Sequence, residues 1–393
     1  KNTYKSLIIC VLVALISVST SYSVLAGNRD RSGQAGASHL LIDPWARTNG
    51  MANAGIAEIR GLESVYSNVA GLCFVQKTDF AFNRTQYLVG SNCGININAM
   101  GFAQHLGKAK DFGTIGISFS SMGFSQVQVT TVAQPEGGLG TFKPSLTTIG
   151  IHYAKSFNHF IKGGVSLKII NESIADLHAT GFAIDAGVQY IAGKYENFKI
   201  GVTLKNIGLP MSYKGDGMSA RGRINNSGVE QTLNVRSAEF EMPSLLAIGV
   251  SYDFLWFGGE YASMTKEELA AEGLTRNDAQ HRLTLAASFT ANSYSRDIFA
   301  IGLEYGFMRY FMIRAGYSLE NITSKKELDE NGDQVLAAVM FNSDSFFLGP
   351  SLGATVAIPL SKTNTTSNIY IDYAYRFTSK WRGNHLIGIK VSL

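Results

Sequence analysis

The sequence predicts an all-β chain, a transmembrane antiparallel β-barrel of about 14 strands with an N-terminal plug segment. Three observations predict it. From about residue 74 to Leu393, apolar side chains alternate with small or polar ones, the period-two signature of strands whose side chains point to two opposite faces. The alternating segments exceed the 5–6 residues of an ordinary sheet strand and suit a tilted bilayer-crossing strand, which needs about 9–11. Charged residues make up only 16% of the chain and mean hydropathy is +0.05, yet no apolar run of about 20 residues follows the N-terminus, as helical spans would require.

The chain opens on what reads as a signal peptide, residues 1–26. Lys1 and Lys5 supply a positive start, Leu7 to Val18 a short apolar core, and Val24-Leu25-Ala26 a small-residue cleavage site before Gly27. A retained anchor helix would need a longer core. Cys10 follows the bulky Ile8 and Ile9 rather than the small residues that precede a lipoprotein cysteine. Cleavage removes two lysines and no acid, lowering the net charge from +4 to +2. That balance gives no reason to expect nucleic acid.

Residues 27–39, rich in Gly, Arg, Ser and Asp, are expected to be mobile. Residues 40–72 do not alternate, but Leu40, Leu41, Ile42, Trp45, Met51, Ile56 and Leu62 are too apolar for a solvated tail. A barrel mouth could bury them. Residues 27–72 are therefore assigned as a plug or hatch, with Leu41, Trp45, Arg47, Met51 and Asn68 facing the lumen, and 73–393 as the barrel.

Fourteen candidate strands follow, at about 74–87, 94–106, 112–121, 145–156, 159–171, 178–191, 197–207, 243–254, 280–292, 297–308, 310–320, 346–358, 367–377 and 383–393. An even count suits a single-chain barrel. If the first strand runs outward, the long connections 122–144, 208–242 and 321–345 fall outside, and the tight ones at 157–158, 192–196, 309 and 359–366 fall in the periplasm, which is the barrel habit. Residues 255–279 break it, being long and periplasmic by parity. Thr265-Lys266-Glu267-Glu268-Leu269-Ala270-Ala271 there resembles a capping box ahead of helix formers. The stretch reads either as a periplasmic helix or as a miscounted strand.

The two faces of the strands differ in kind. One is apolar, as in Phe182, Ile184, Ala186, Val188 and Tyr190, or Phe299, Ile301, Leu303, Tyr305 and Phe307. The other carries Gly, Ser, Thr and the charges Lys162, Lys168, Asp185, Lys199, Lys205, Arg282, Glu304, Arg314, Asp372, Arg376 and Lys390. Because Arg or Lys facing lipid at the midplane costs about 2–4 kcal/mol, the charged face is assigned to the lumen. Small lumenal residues leave room for a plug or ligand, which a soluble sandwich with a wet outer face would not explain. Aromatics near strand ends, such as Tyr190, Tyr317, Tyr375 and Phe377, suit interface girdles.

No catalytic, metal or cofactor constellation is found: there is no H-E-x-x-H, C-x-x-C, G-x-S-x-G or phosphate-binding loop. Asp216, Asp329 and Asp333 sit in Gly/Asn-rich outer loops and read as solvated turns before calcium ligands. Pro135 to Gly140 is a glycine-dense outer loop with no helix after it, as a phosphate cradle would need. The expectation is that the chain is not an enzyme. Cys73 and Cys93 would stand at opposite ends of the first hairpin, roughly 40 Å apart at about 3.3 Å per residue, beyond the reach of a disulfide.

The stretch Gly36-Ala37-Ser38-His39-Leu40-Leu41-Ile42-Asp43-Pro44-Trp45-Ala46-Arg47, then Gly50-Met51-Ala52-Asn53-Ala54-Gly55, then Gly61 to Leu72, resembles the N-terminal signature of the PorV/PorQ family, within the wider FadL-like barrels. Val69 replaces the usual proline of the family's closing NPAGL motif. The resemblance implies a Gram-negative outer-membrane barrel of the Bacteroidetes type IX secretion system. Such a barrel holds cargo C-terminal domains beside the translocon barrel and passes them to the surface attachment machinery. FadL-like relatives instead imply a channel admitting hydrophobic small molecules. The charge-rich lumenal face and the large outer loops favour the secretion role. The expected partners are outer-membrane lipid, the type IX translocon barrel and cargo C-terminal domains, with no nucleic acid and no cofactor.

Overall fold

The computed structural model describes residues 31–393 apart from 91–92, 108–111, 194, 224–229, 259–278, 321–325, 329–333, 337–347, 361–366 and 379–380. The leader, Asp329, Asp333 and the stretch near Thr265 that reads either as a periplasmic helix or as a miscounted strand lie outside the described residues.

Fourteen antiparallel strands close into one barrel. They are β1 (Thr78–Tyr87), β2 (Ile95–His105), β3 (Thr114–Gly123), β4 (Ser145–Ser156), β5 (Ile161–Ile174), β6 (Leu177–Ala192), β7 (Phe198–Gly208), β8 (Leu245–Trp256), β9 (His281–Asn292), β10 (Ile298–Phe307), β11 (Phe311–Glu320), β12 (Gly349–Pro359), β13 (Asn368–Arg376) and β14 (Asn384–Ser392). The last strand returns to the first, with Ser392 opposite Asp79 and His385 opposite Gln86. Closure leaves no strand edge, which is what a backbone in hydrocarbon requires.

Burial alternates residue by residue along the strands. In β6, Phe182, Ile184, Val188 and Tyr190 are exposed outward, whereas Asp185 and Gln189 are buried inward. Ile117, Ile151, Ile301, Ile313 and Ile387 continue the outward apolar surface around the wall. A closed barrel sheathed in exposed aliphatic and aromatic side chains spans a bilayer.

The two ends of the barrel differ. The loop end carries the long connections 124–144, 209–244 and 321–348; the turn end carries the short ones 157–160, 193–197 and 308–310 and one long one, 257–280. The shortest loop-end connection has two residues. Ala175 and Asp176 join β5 and β6, the longest strands at 14 and 16 residues. This hairpin extends farther at the loop end than the sequence pattern indicated. The reason is that loop 209–244 leans back on it: His178 and Lys214 exchange backbone hydrogen bonds at 2.9 Å, and the Tyr213 hydroxyl donates to Glu172 at 2.6 Å. Burial and the neighbouring Glu172 carboxylate hold the Tyr213 phenol above its ordinary pKa.

Residues 31–77 run inside the barrel from the loop end to the turn end. Ala35 pairs with Glu241, and Arg31 donates to Tyr294 at 2.9 Å. Residues 31–39, expected to be mobile, are thus docked against the loop-end rim. The segment continues as short 3-10 turns and one short helix, α1 (Ala46–Gly50). Its last turn, Val69–Phe74, is capped by the Asn68 side chain, which accepts from the Ala70 N–H at 3.2 Å. That turn delays β1 to Thr78, four residues past the start expected from alternation. The Cys73 sulfur lies 3.9 Å from the Gly163 carbonyl at the turn end, whereas the Cys93 backbone carbonyl accepts from the Ser125 N–H at the loop end. The two cysteines are not bridged, as the hairpin geometry requires.

Candidate functional site

The lumen is the candidate site, and its width is set first by glycine. Wall glycines stand where the inner segment presses closest. A Cβ added at Gly316 would lie 2.3 Å from the Met51 carbonyl carbon, one at Gly201 2.6 Å from the Ile56 carbonyl oxygen, and one at Gly353 2.9 Å from the Gly50 Cα. At Gly187 the obstacle would be the Asn68 amide oxygen at 2.2 Å. The nitrogen of that side-chain amide donates to Val188 O at 3.1 Å, tying the segment to the wall, and to Ile56 O at 3.2 Å within the segment itself. These contacts are the physical use of the small lumenal residues. A backbone seated directly against a sheet leaves no space for side chains between them.

Charge organises the turn-side half. Lys199 contacts Glu58 at 2.7 Å and Asp253 at 2.6 Å. Lys390 contacts Glu63 at 2.6 Å, and Arg47 lies 3.8 Å from the same carboxylate. Glu304 receives Arg314 at 2.6 Å and pairs with Arg282, and Arg314 reaches toward Asp372 at 3.8 Å. All are buried apart from the partly exposed Arg47. Buried charges persist only when paired and hydrogen-bonded, so this layer fixes the inner segment in one position.

The loop-side half is looser. A cavity of about 200 Å³ lies there, with Leu41, Asp43, Ala52, Asn53 and Ile56 on the inner segment facing Lys205, Leu245, Ala247 and Ile298 on the wall; Arg376 and Glu320 also line it. A second cavity of about 160 Å³ opens in the wall beside it, among Leu204, Ile207, Leu246 and Ser293. Leu245 and Asn292 line both. Leu204, Ile207 and Leu246 are outward-facing and exposed, so the wall cavity lies on the lipid side of a shared partition.

The lumenal assignments fall into three groups. Lys199, Arg282, Glu304, Arg314, Asp372 and Lys390 join Arg47 in the turn-side ion-pair layer. Lys205 and Arg376 line the cavity with Leu41, and Arg376 donates to Ser318 at 3.0 Å. Asp185 pairs with Lys168 at mid-height, and its other oxygen accepts from the Asn206 N–H at 2.8 Å. Trp45 and Met51 are packed against the wall, 2% and 3% exposed, and do not line the cavity. The sequence pattern does not single out Asp43, Glu58, Glu63 or Asp253, which the structure places among the lumenal charges. A signal for two of them existed: Glu58 and Glu63 are carboxylates inside a stretch that must be buried, facing a lumen rich in Lys and Arg.

Ser118, His152 and Ser166 form a buried chain, with the imidazole 2.8 Å and 2.7 Å from the two hydroxyls. Its second nitrogen meets a serine rather than the carboxylate of a hydrolytic triad. Among the described residues no His/Cys/Asp/Glu group could hold a metal ion.

No protein-family model and no curated protein sequence matches the chain. Among solved structures, the toluene transporter TbuX of Ralstonia pickettii is similar at 11% identity and a TM-score of 0.49, covering 89% of this chain and 98% of its own. The toluene transporter TodX of Pseudomonas putida gives 12% identity and 0.48 over 88% and 95%. A Pseudomonas aeruginosa FadL homologue gives 11% and 0.43 over the same shares.

Proposed function

We propose that the chain is an outer-membrane barrel that admits small, largely apolar molecules into its lumen. The observation that carries this reading is the pair of adjoining cavities, one lumenal and one in the wall, separated by Leu245 and Asn292. An apolar cavity of about 150 Å³ accommodates benzene, so the lumenal space suits a molecule of one ring or a short branched chain. Leu41, Ile56, Leu245 and Ile298 would hold its apolar body, with Lys205, Arg376 and Asp43 limiting where it can lie. Onward passage requires the inner segment to shift, because the turn-side half is filled. The test is occupancy. The purified barrel soaked with bromotoluene should show anomalous density in the cavity, and Leu245→Trp, which fills it, should remove that density and slow uptake into vesicles. An empty cavity in the native barrel at saturating probe sinks the reading.

The secretion role is the second reading. It is supported by the likeness of residues 36–72 to the PorV/PorQ signature and by the filled turn-side bore, which leaves loops rather than a passage on offer. Deleting the gene should then leave C-terminal-domain cargo unattached, with hydrophobic uptake unchanged. Normal surface display of all such cargo in the deletion strain rejects it.

A further inference from the structure

The outward face of the barrel carries an apolar-to-polar border that follows the hydrogen-bond ladder across six strands. One ladder row reads Phe82, Met100, Phe119, Ile149, Ile169 and Phe182 from β1 to β6. The next outward row is polar throughout: Arg84, Asn98, Ser121, Thr147, Asn171 and Thr180. Above it Gln86 pairs with Asn96 on β2 and with His385 on β14.

Ladder rows are not level, because barrel strands tilt by about 35–45°. Arg84 is six residues from the turn end of β1, whereas Thr180 is twelve from the turn end of β6. At about 3.3 Å per residue along a strand so tilted, these positions stand about 15 Å and about 30 Å above the turns. The apolar band of such barrels is about 25 Å tall. The row therefore leaves the membrane at β6 but dips into it at β1 and β2. Arg84, Gln86, Asn96 and Asn98 there form a polar notch within the lipid-facing wall, bounded by Phe82, Met100 and Ile387.

Arg84 is also the one outward Arg or Lys of the fourteen strands standing more than two residues inside its strand's ends. The outward faces of β1, β2, β3, β13 and β14 carry no Asp or Glu to neutralise it: Asp79 and Asp372 point inward and are buried. What the notch offers is one planar cation and three side-chain amides, all capable of donating hydrogen bonds. That is the donor set for a phosphate, which takes a bidentate guanidinium and further N–H donors. A protein wall at this depth would need its own buried carboxylate to meet Arg84, with a desolvation cost on both sides. An ionised lipid head group arrives with its charge already at the membrane surface.

We propose that Arg84, Gln86, Asn96 and Asn98 form a wall site for the phosphorylated head group of a loop-side membrane lipid, whose chains lie along Phe80, Phe82, Phe102 and Ile387. All four of these apolar side chains are exposed, Ile387 at 57%.

Native mass spectrometry of the purified full chain in neutral detergent, titrated with lipid A or with phosphatidylcholine, tests this. The native barrel should retain one bisphosphorylated lipid in preference to the zwitterionic one. Arg84→Ala should weaken that retention roughly tenfold, the scale of one charge-assisted hydrogen bond, and Arg84→Lys should restore part of it. Asn98→Leu, which keeps the charge, should weaken it less, and gives an independent reading if Arg84→Ala fails the heat-shift gel test of barrel folding. Equal retention of both lipids, or unchanged lipid A affinity in both Arg84→Ala and Asn98→Leu, overturns the proposal. So does a stoichiometric protein that leaves with Arg84→Ala while lipid affinity stays the same.

Discussion

Lys199 of β7 lies 2.7 Å from Glu58 of the inner segment and 2.6 Å from Asp253 of β8, with all three side chains buried. One wall cation thus serves two carboxylates from different parts of the chain. Replacing it by Met leaves two uncompensated acids in the lumen. Breaking a buried pair in this way costs about 3–5 kcal/mol. Urea unfolding of Lys199→Met in lipid vesicles, followed by tryptophan fluorescence, should show a loss of that size. Adding Glu58→Gln and Asp253→Asn should recover most of it, and no recovery would mean that the lysine acts through packing instead.

Gly316 and Met51 supply a steric prediction. A side chain at 316 collides with the Met51 backbone at 2.3 Å, so Gly316→Val should displace the inner segment while β11 keeps its pairing. Limited trypsin digestion reports this, since the side chains of Arg47 and Arg60 on the inner segment are only 16% and 18% exposed and both are held in ion pairs. Cleavage at either arginine is expected in the variant and not in the native barrel. Protection of both in Gly316→Val would show that the wall gives way instead.

Removing the filling should open the bore. A chain with residues 38–72 replaced by a short Gly/Ser linker keeps all fourteen strands and exposes Lys199, Arg282, Glu304 and Lys390 to water. In planar bilayers it should carry a steady current that the native barrel lacks. A large native conductance would show that the inner segment does not seal the pore.

The cysteines report orientation. Cys93 is exposed at the loop end, and Cys73 is half-buried at the turn end. With the long loops outside, a membrane-impermeant maleimide on intact cells should label Cys93 within minutes and Cys73 only after lysis. The reverse order would place the loops in the periplasm.

Much of this barrel was legible because alternation is a local signal. Each residue of β6 reports its own face, and the inward Asp185 and outward Phe182 need no distant partner to be assigned. The route of the inner segment was not legible. Its path depends on which wall glycine each turn meets, and a glycine such as Gly201 looks the same in sequence whether it opposes Ile56 or empty space. The Glu58–Lys199 pair joins residues 141 positions apart, and nothing periodic links them. The notch at Arg84 was hidden for a third reason. Strand by strand it is one polar residue near an end, and only the tilted ladder shows that β1 and β6 reach the same row at different heights.

The path of residues 31–77 bears on how the molecule is made. They enter past Glu241 at one rim and leave at the other to begin β1, whose free side is closed only by β14. A finished cylinder would have to be threaded by a chain that its glycines admit with no clearance. Laying the sheet down around a segment already in place avoids that passage, and then the seam between Phe82 and Ile389 is the last join to form. Protection of the inner segment and pairing of the seam should therefore appear together, as one late event in assembly.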